Sequence, residues 1–211
     1  MPFPDTGLYA VTPDPRNFER LLAQTRAVLE GGAKVVQLRD KHDRLTVEQA
    51  RELVVLCHKY QVPLIVNDRI DLAEHIEADG VHLGRDDAGI EQARTILGSA
   101  AIIGVSCYRD LDQARKAEQE GATYVAFGAF FPSPSKPEAS PAPLSLLHQA
   151  RQTLRCPVVA IGGITPELAP RVIEAGAGLV AVISALFHAS DPQQTARNFS
   201  RLFSRSGESV T

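Results

Sequence analysis

Apolar and polar positions follow two periods along this chain. Short runs rich in valine, isoleucine and leucine, at residues 8–12, 35–39, 63–68, 80–84, 101–106, 124–130, 157–163 and 179–184, read as eight strands. Most are continuously apolar, the pattern expected of parallel strands covered on both faces. Between them lie longer amphipathic stretches, such as 16–31, 46–60, 110–121 and 166–176, which read as helices. End signals support several: Thr46 followed by Glu48 and Gln49, Thr165-Pro166 as a cap with a first-turn proline, and Gly31, Gly121 and Gly176 as stops. A Gly-Ala pair precedes the second, sixth and eighth strands (Gly32-Ala33, Gly121-Ala122, Gly176-Ala177), an echo of one repeated unit.

Eight strand–helix units in 211 residues predict an α/β fold, a single-domain (β/α)8 TIM barrel over 1–211, with its core at about 8–203 and a short tail at 204–211. A doubly wound open sheet is the structural competitor, but it usually has fewer strands, and no glycine fingerprint follows the first strand here. Composition adds exclusions. A formal net charge of -3 gives no reason to expect a nucleic-acid partner. No apolar run approaches the roughly 20 residues of a membrane span, and the start lacks the regions of a signal peptide. Cys57, Cys107 and Cys156 are widely spaced and match neither a disulfide framework nor a zinc pattern, so a reducing cytoplasm is the expected location.

In such a barrel the C-terminal ends of all strands share one rim. Gln37, Arg39 and Lys41 alternate at the end of the second run, which projects their side chains to one side. Arginine and lysine there suit phosphate oxygens; ordinary surface cations are the alternative. Asn67 and Asp68 end the third run, and Asp86 and Asp87 follow the fourth. Two carboxylates from neighbouring strands suit Mg²⁺, although Asp68 could instead cap a helix and Asp87 be a loop charge. Ser106 closes the fifth run. The long 131–143 segment, with five prolines and three serines, carries Ser133, Pro134, Ser135 and Lys136. It reads either as a lid over an anion or as a serine-lined turn. Gly162-Gly163 and Ile183-Ser184 end the last two runs, where barrels of this class bind phosphate through backbone N–H groups. The six histidines show no ligand spacing; His82, inside the fourth run, reads as a hydrogen-bonded core residue, and Cys107 as packed rather than nucleophilic.

Taken together, Gln37-Leu38-Arg39-Asp40-Lys41, Val66-Asn67-Asp68-Arg69, Asp79-Gly80-Val81-His82-Leu83-Gly84, Gly104-Val105-Ser106, Ile161-Gly162-Gly163-Ile164 and Val182-Ile183-Ser184 resemble the thiamine phosphate synthase family across nearly the whole chain. The resemblance implies a transferase that condenses hydroxymethylpyrimidine pyrophosphate with a thiazole phosphate. It implies that Gln37, Leu38, Arg39, Asp40, Lys41, Asn67, Ser106 and Lys136 hold the pyrimidine substrate, with Arg39, Lys41 and Lys136 acting on the leaving pyrophosphate. It further implies Asp68 and Asp87 as Mg²⁺ ligands, and Ser133, Pro134, Ser135, Gly163, Ile183 and Ser184 around the thiazole phosphate. The partners expected are these small molecules, and a homodimer is a possible assembly. The chain departs from the family pattern where proline is usual at Ala129, tyrosine at Phe131, threonine at Ser133 and Ser135, and glutamate at Asp40. Rival readings are a thiazole tautomerase, which would need no cations for pyrophosphate, and a non-catalytic barrel binding thiamine precursors, which would be expected to lose the metal carboxylates first.

Overall fold

Eight parallel strands pair in chain order and close on themselves: β1 (Gly7–Val11), β2 (Val35–Leu38), β3 (Leu64–Asn67), β4 (Gly80–Leu83), β5 (Ile102–Tyr108), β6 (Tyr124–Gly128), β7 (Val158–Ile161) and β8 (Leu179–Val182). β1 pairs with β2 through Tyr9 and Val35 and with β8 through Tyr9 and Ala181, which seals the barrel. The computed structural model describes residues 1–84, 89–132 and 141–204; Asp86, Asp87, Ser133, Pro134, Ser135 and Lys136 lie outside the described residues. Helices α1 (Phe18–Glu30), α2 (Val47–Lys59), α3 (Ile70–His75), α4 (Ile90–Leu97), α5 (Leu111–Gln119), α6 (Ser145–Thr153) and α7 (Ala169–Glu174) alternate with the strands, and α8 (Ser184–Phe187) and α9 (Pro192–Ser204) complete the described chain. No helix of the described residues is long and apolar enough to cross a membrane.

Continuous apolarity arises because successive residues feed two cores. Leu8, Ala10, Val36 and Leu38 point out and pack with helix residues such as Leu21, Val28 and Leu53. Tyr9, Val11, Val35, Ile65 and Tyr124 point in and fill the barrel. Inside, Gly104 lies against the Tyr124 ring: a Cβ there would lie 2.0 Å from Tyr124 Cζ. Phe3, preceding β1, stacks on Tyr124 with ring centroids 4.2 Å apart and closes the interior from the N-terminal side.

Local signals place most helices. Thr46 caps α2 in a full capping box with Gln49, so two otherwise unpaired N–H groups are satisfied reciprocally. α1 ends at Gly31 as expected, but Gly31 is right-handed and Gly32 takes the left-handed conformation. Ser200 of α9 then bonds the Gly31 and Gly32 carbonyls at 3.0 and 3.1 Å, pinning the last helix onto the first. The expected start of α7 at Thr165-Pro166 is corrected to Ala169. Thr165 Oγ1 donates instead to Glu167, the residues up to Leu168 form a turn, and Pro170 occupies the first helical turn.

Candidate active site

The C-terminal ends of the strands enclose a cavity of about 1300 Å³. Gln37, Arg39 and Lys41 line it from the end of β2, Asn67 and Asp68 from β3, and Ser106 from β5. Gly162, Gly163, Ile183 and Ser184 line it from the ends of β7 and β8. The structure thus brings together every expected site residue among the described ones except Leu38 and Asp40. Strand alternation explains both exceptions. Leu38 is buried in the outer core, and Asp40 Oδ2 accepts N–H bonds from Arg44 and Leu45 at 2.8 and 2.9 Å, shaping the loop rather than lining the cavity.

The basic corner is built by residues that the reading of strand ends passed over. Thr12 Oγ1 accepts from the Arg39 N–H at 2.9 Å. Asp14 accepts from Arg39 Nη1 at 2.7 Å and from the Lys41 N–H at 2.8 Å. Partial burial opposes ionisation of Asp14. Even so, the Lys41 N–H and the Arg39 guanidinium hold its carboxyl below the usual carboxylate range. Asp14 therefore aims Arg39 while leaving the Lys41 ammonium uninvolved in that contact. The signal was present: Thr12-Pro13-Asp14 follows the first strand, on the same rim.

Asp68 is not a helix cap. α3 begins after Arg69 and has no side-chain cap bond. Instead Asp68 adopts φ 62, donates its N–H to the His82 carbonyl at 2.8 Å, and accepts from Asn67 Nδ2 at 2.5 Å. A left-handed conformation is uncommon for a residue with a Cβ, and it is enriched where function sets the backbone. It keeps a hard carboxylate on the cavity wall. Among the described residues no group of three or more His, Cys, Asp or Glu side chains gathers as an all-protein metal cage.

Across the cavity, Gly163 has φ 64, and a Cβ there would lie 2.4 Å from the Pro132 carbonyl oxygen. Phe131 N–H also bonds the Gly162 carbonyl at 3.1 Å. The glycine pair thus lets the segment after β6 cross directly over the end of β7, a reason beyond the close approach of a ligand. Arg171 sits over the Phe131 ring, 5.3 Å from its centroid.

At the floor of the cavity, Gln37 Nε2 donates to Tyr9 Oη at 2.9 Å, and Tyr9 Oη lies 2.6 Å from Tyr124 Oη. His82 bridges Tyr124 Oη through Nδ1 at 2.9 Å and Ser106 Oγ through Nε2 at 2.8 Å. His82 is thus the buried, hydrogen-bonded strand residue expected. Cys107 is fully buried in the outer core, and burial with the nearby Asp110 charge pushes its thiol up to about 12, so it supplies no thiolate.

A family model described as thiamine monophosphate synthase matches residues 8–186. The chain belongs to the thiamine monophosphate synthase family. Two similar relatives are the thiamine-phosphate synthases of Nitrosospira multiformis and Thiobacillus denitrificans. The first is 52% identical over 95% of this chain and 86% of its own length; the second is 52% identical over 96% and 97%. Among solved structures, thiamine phosphate pyrophosphorylase from Pyrococcus furiosus superimposes with a TM-score of 0.82 at 33% identity, covering 95% of this chain and 96% of that one. The 3-hexulose-6-phosphate synthase of Salmonella typhimurium, at 19% identity and a TM-score of 0.71 over 93% of this chain and 98% of that one, shares the fold. Membership in the thiamine monophosphate synthase family thus rests on the whole barrel rather than on one motif.

Proposed function

We propose that this protein is a thiamine phosphate synthase: a transferase that condenses hydroxymethylpyrimidine pyrophosphate with thiazole phosphate, yielding thiamine phosphate and pyrophosphate. The observation that carries the reading is one cavity with a cationic corner (Arg39, Lys41) at the end of β2 and a separate corner of Gly163, Ile183 and Ser184 at the ends of β7 and β8. Small-molecule pockets usually span about 300–1,000 Å³. At about 1300 Å³, this one has room for two ligands side by side.

The residues divide the work. Arg39 and Lys41 stabilise negative charge gathering on the departing pyrophosphate, and Lys136, outside the described residues, is assigned the same role. Loss of pyrophosphate leaves a cation on the exocyclic carbon, stabilised by the electron-rich aminopyrimidine, which Gln37, Asn67 and Ser106 hold in place. The thiazole ring nitrogen attacks that carbon once Gly163, Ile183 and Ser184, with Ser133, Pro134 and Ser135, anchor the thiazole phosphate. No protein nucleophile is required, so catalysis is positioning and electrostatics.

The family is consistent with a metal-dependent enzyme, and the donor set fits Mg²⁺. That ion takes few protein ligands and shares substrate phosphates and water. Asp68 supplies one hard carboxylate at the cavity wall, and Asp87, outside the described residues, is the second ligand in this reading. When bound, Mg²⁺ supplies charge neutralisation to the pyrophosphate oxygens.

Incubating the purified protein with both substrates and Mg²⁺, with an EDTA control, tests the reading. Thiamine phosphate and pyrophosphate should appear in equal amounts and vanish with EDTA. Thiazole isomerisation without coupling would make it a tautomerase, and binding without turnover would make it a non-catalytic barrel.

A further inference from the structure

The hydrogen bonds of the row from Gln37 to Ser106 fit one direction of donation. An amide nitrogen only donates, so Tyr9 Oη accepts from Gln37 Nε2 at 2.9 Å. Tyr9 then has one hydrogen to give, and Tyr124 Oη lies 2.6 Å away. Tyr124 in turn gives its hydrogen to His82 Nδ1 at 2.9 Å. A neutral imidazole that accepts at Nδ1 carries its proton on Nε2, which faces Ser106 Oγ at 2.8 Å. If Tyr124 donated to Tyr9 instead, the surplus hydrogen would fall on Tyr9, which lines the cavity but is only 1% exposed, rather than on half-buried Ser106. Ser106 therefore accepts from His82, and its own hydrogen remains to be given into the cavity that it lines.

We propose that Tyr9, Tyr124 and His82 are positioning residues forming a one-way hydrogen-bond chain, and that this chain fixes Ser106 as a donor toward a ring nitrogen of the pyrimidine substrate. The proposal rests on the functional reading above and deepens it by naming how the site selects an aminopyrimidine. A serine hydroxyl alone rotates and serves as donor or acceptor alike. Tied to an imidazole of fixed tautomer, it discriminates a ring nitrogen from a ring C–H. Burial raises both phenols above their ordinary range, although hydrogen bonds partly offset this at Tyr9, so each tyrosine keeps the proton that the chain requires. The shape of the interior serves the same end: Gly104 leaves room for the Tyr124 ring, and Phe3 stacks on it from below.

The polarity is measurable without ligand. In ¹⁵N-histidine-labelled full-length protein, two-bond ¹H–¹⁵N correlation spectra report the His82 tautomer, its signals assigned by their loss in His82→Asn. The chain requires protonated Nε2 and bare Nδ1 at neutral pH; the Nδ1–H tautomer or an imidazolium overturns it. Recognition is tested by calorimetry with Mg²⁺, comparing hydroxymethylpyrimidine pyrophosphate with inorganic pyrophosphate. Tyr124→Phe should weaken the first about tenfold, one lost hydrogen bond, and leave the second unchanged. Equal weakening of both would mean a merely structural role and would overturn the proposal. Should Tyr124→Phe fail to fold, Tyr9→Phe breaks the same chain one bond earlier and carries the same comparison. A wild-type protein that binds the two ligands alike overturns the functional reading, while the tautomer still decides the direction of the chain.

Discussion

Arg39 reaches the cavity in a geometry set by two neighbours, Thr12 at its backbone and Asp14 at its guanidinium. Arg39→Gln keeps length and polarity but removes the charge. If the guanidinium stabilises departing pyrophosphate, kcat/KM for the pyrimidine substrate should fall roughly 100- to 1,000-fold, as when one preorganised transition-state donor is lost. KM for thiazole phosphate should stay near the wild-type value, which steady-state kinetics with each substrate varied will check. Asp14 makes a pH-dependent contribution. Its carboxyl is depressed in the folded protein, so its contribution to stability is complete above its unfolded pKa of about 3.9 and disappears as pH falls through the lower folded value. Urea unfolding of wild type and Asp14→Asn should give a constant difference from pH 7 to 5 that shrinks toward zero below about pH 4. Asp68→Asn should raise the Mg²⁺ concentration needed for half-maximal turnover while leaving the thermal midpoint nearly unchanged; an unaltered Mg²⁺ dependence would remove Asp68 from the metal site. At this scale the period-two spacing of Gln37, Arg39 and Lys41 was legible, because a strand end cannot send neighbours the same way. The same alternation turns the Leu38 and Asp40 side chains, which lie between them, away from the cavity lining. Tyr9 and Tyr124 were not legible: in a barrel both strand faces are apolar, and nothing in a run such as Leu8-Tyr9-Ala10-Val11 says which face is inside.

At the scale of elements, the apolar runs overestimate their strands by a residue or two at the C-terminal end, except the fifth, whose strand continues past Ser106 to Tyr108. β3 stops at Asn67 and β8 at Val182, because the chain past those points leaves the ladder while remaining extended or turning into the site. Helix starts were legible where a side chain caps them, as at Thr46, and misread at Thr165-Pro166, where the threonine bonds Glu167 and a turn precedes α7. Thr46→Ala should therefore cost about 1 kcal/mol of stability by denaturant unfolding. Inside the barrel, Gly104→Ala forces a methyl group into the Tyr124 ring. Overpacking of this kind costs about 1–3 kcal/mol. Because the displaced ring carries the hydroxyl that contacts His82, affinity for the pyrimidine substrate should fall along with the thermal midpoint.

For the whole molecule, eight buried runs and the amphipathic stretches between them were enough to specify a barrel. Closure itself, the pairing of β1 with β8, has no local signature and follows from the number of units. The barrel then does what the isolated motifs cannot, bringing residues as distant in sequence as Arg39 and Ser184 to one cavity. In the proposed reaction this cavity holds two anions at once, a pyrophosphate beside Arg39, Lys41 and Asp68 and a phosphate beside Gly163, Ile183 and Ser184. A crystal structure with thiamine phosphate, pyrophosphate and Mg²⁺ tests it most directly. Two separate anion densities are expected in those two corners, with the aminopyrimidine within reach of Ser106. A single shared anion position, or pyrophosphate bound away from Arg39 and Asp68, would contradict it.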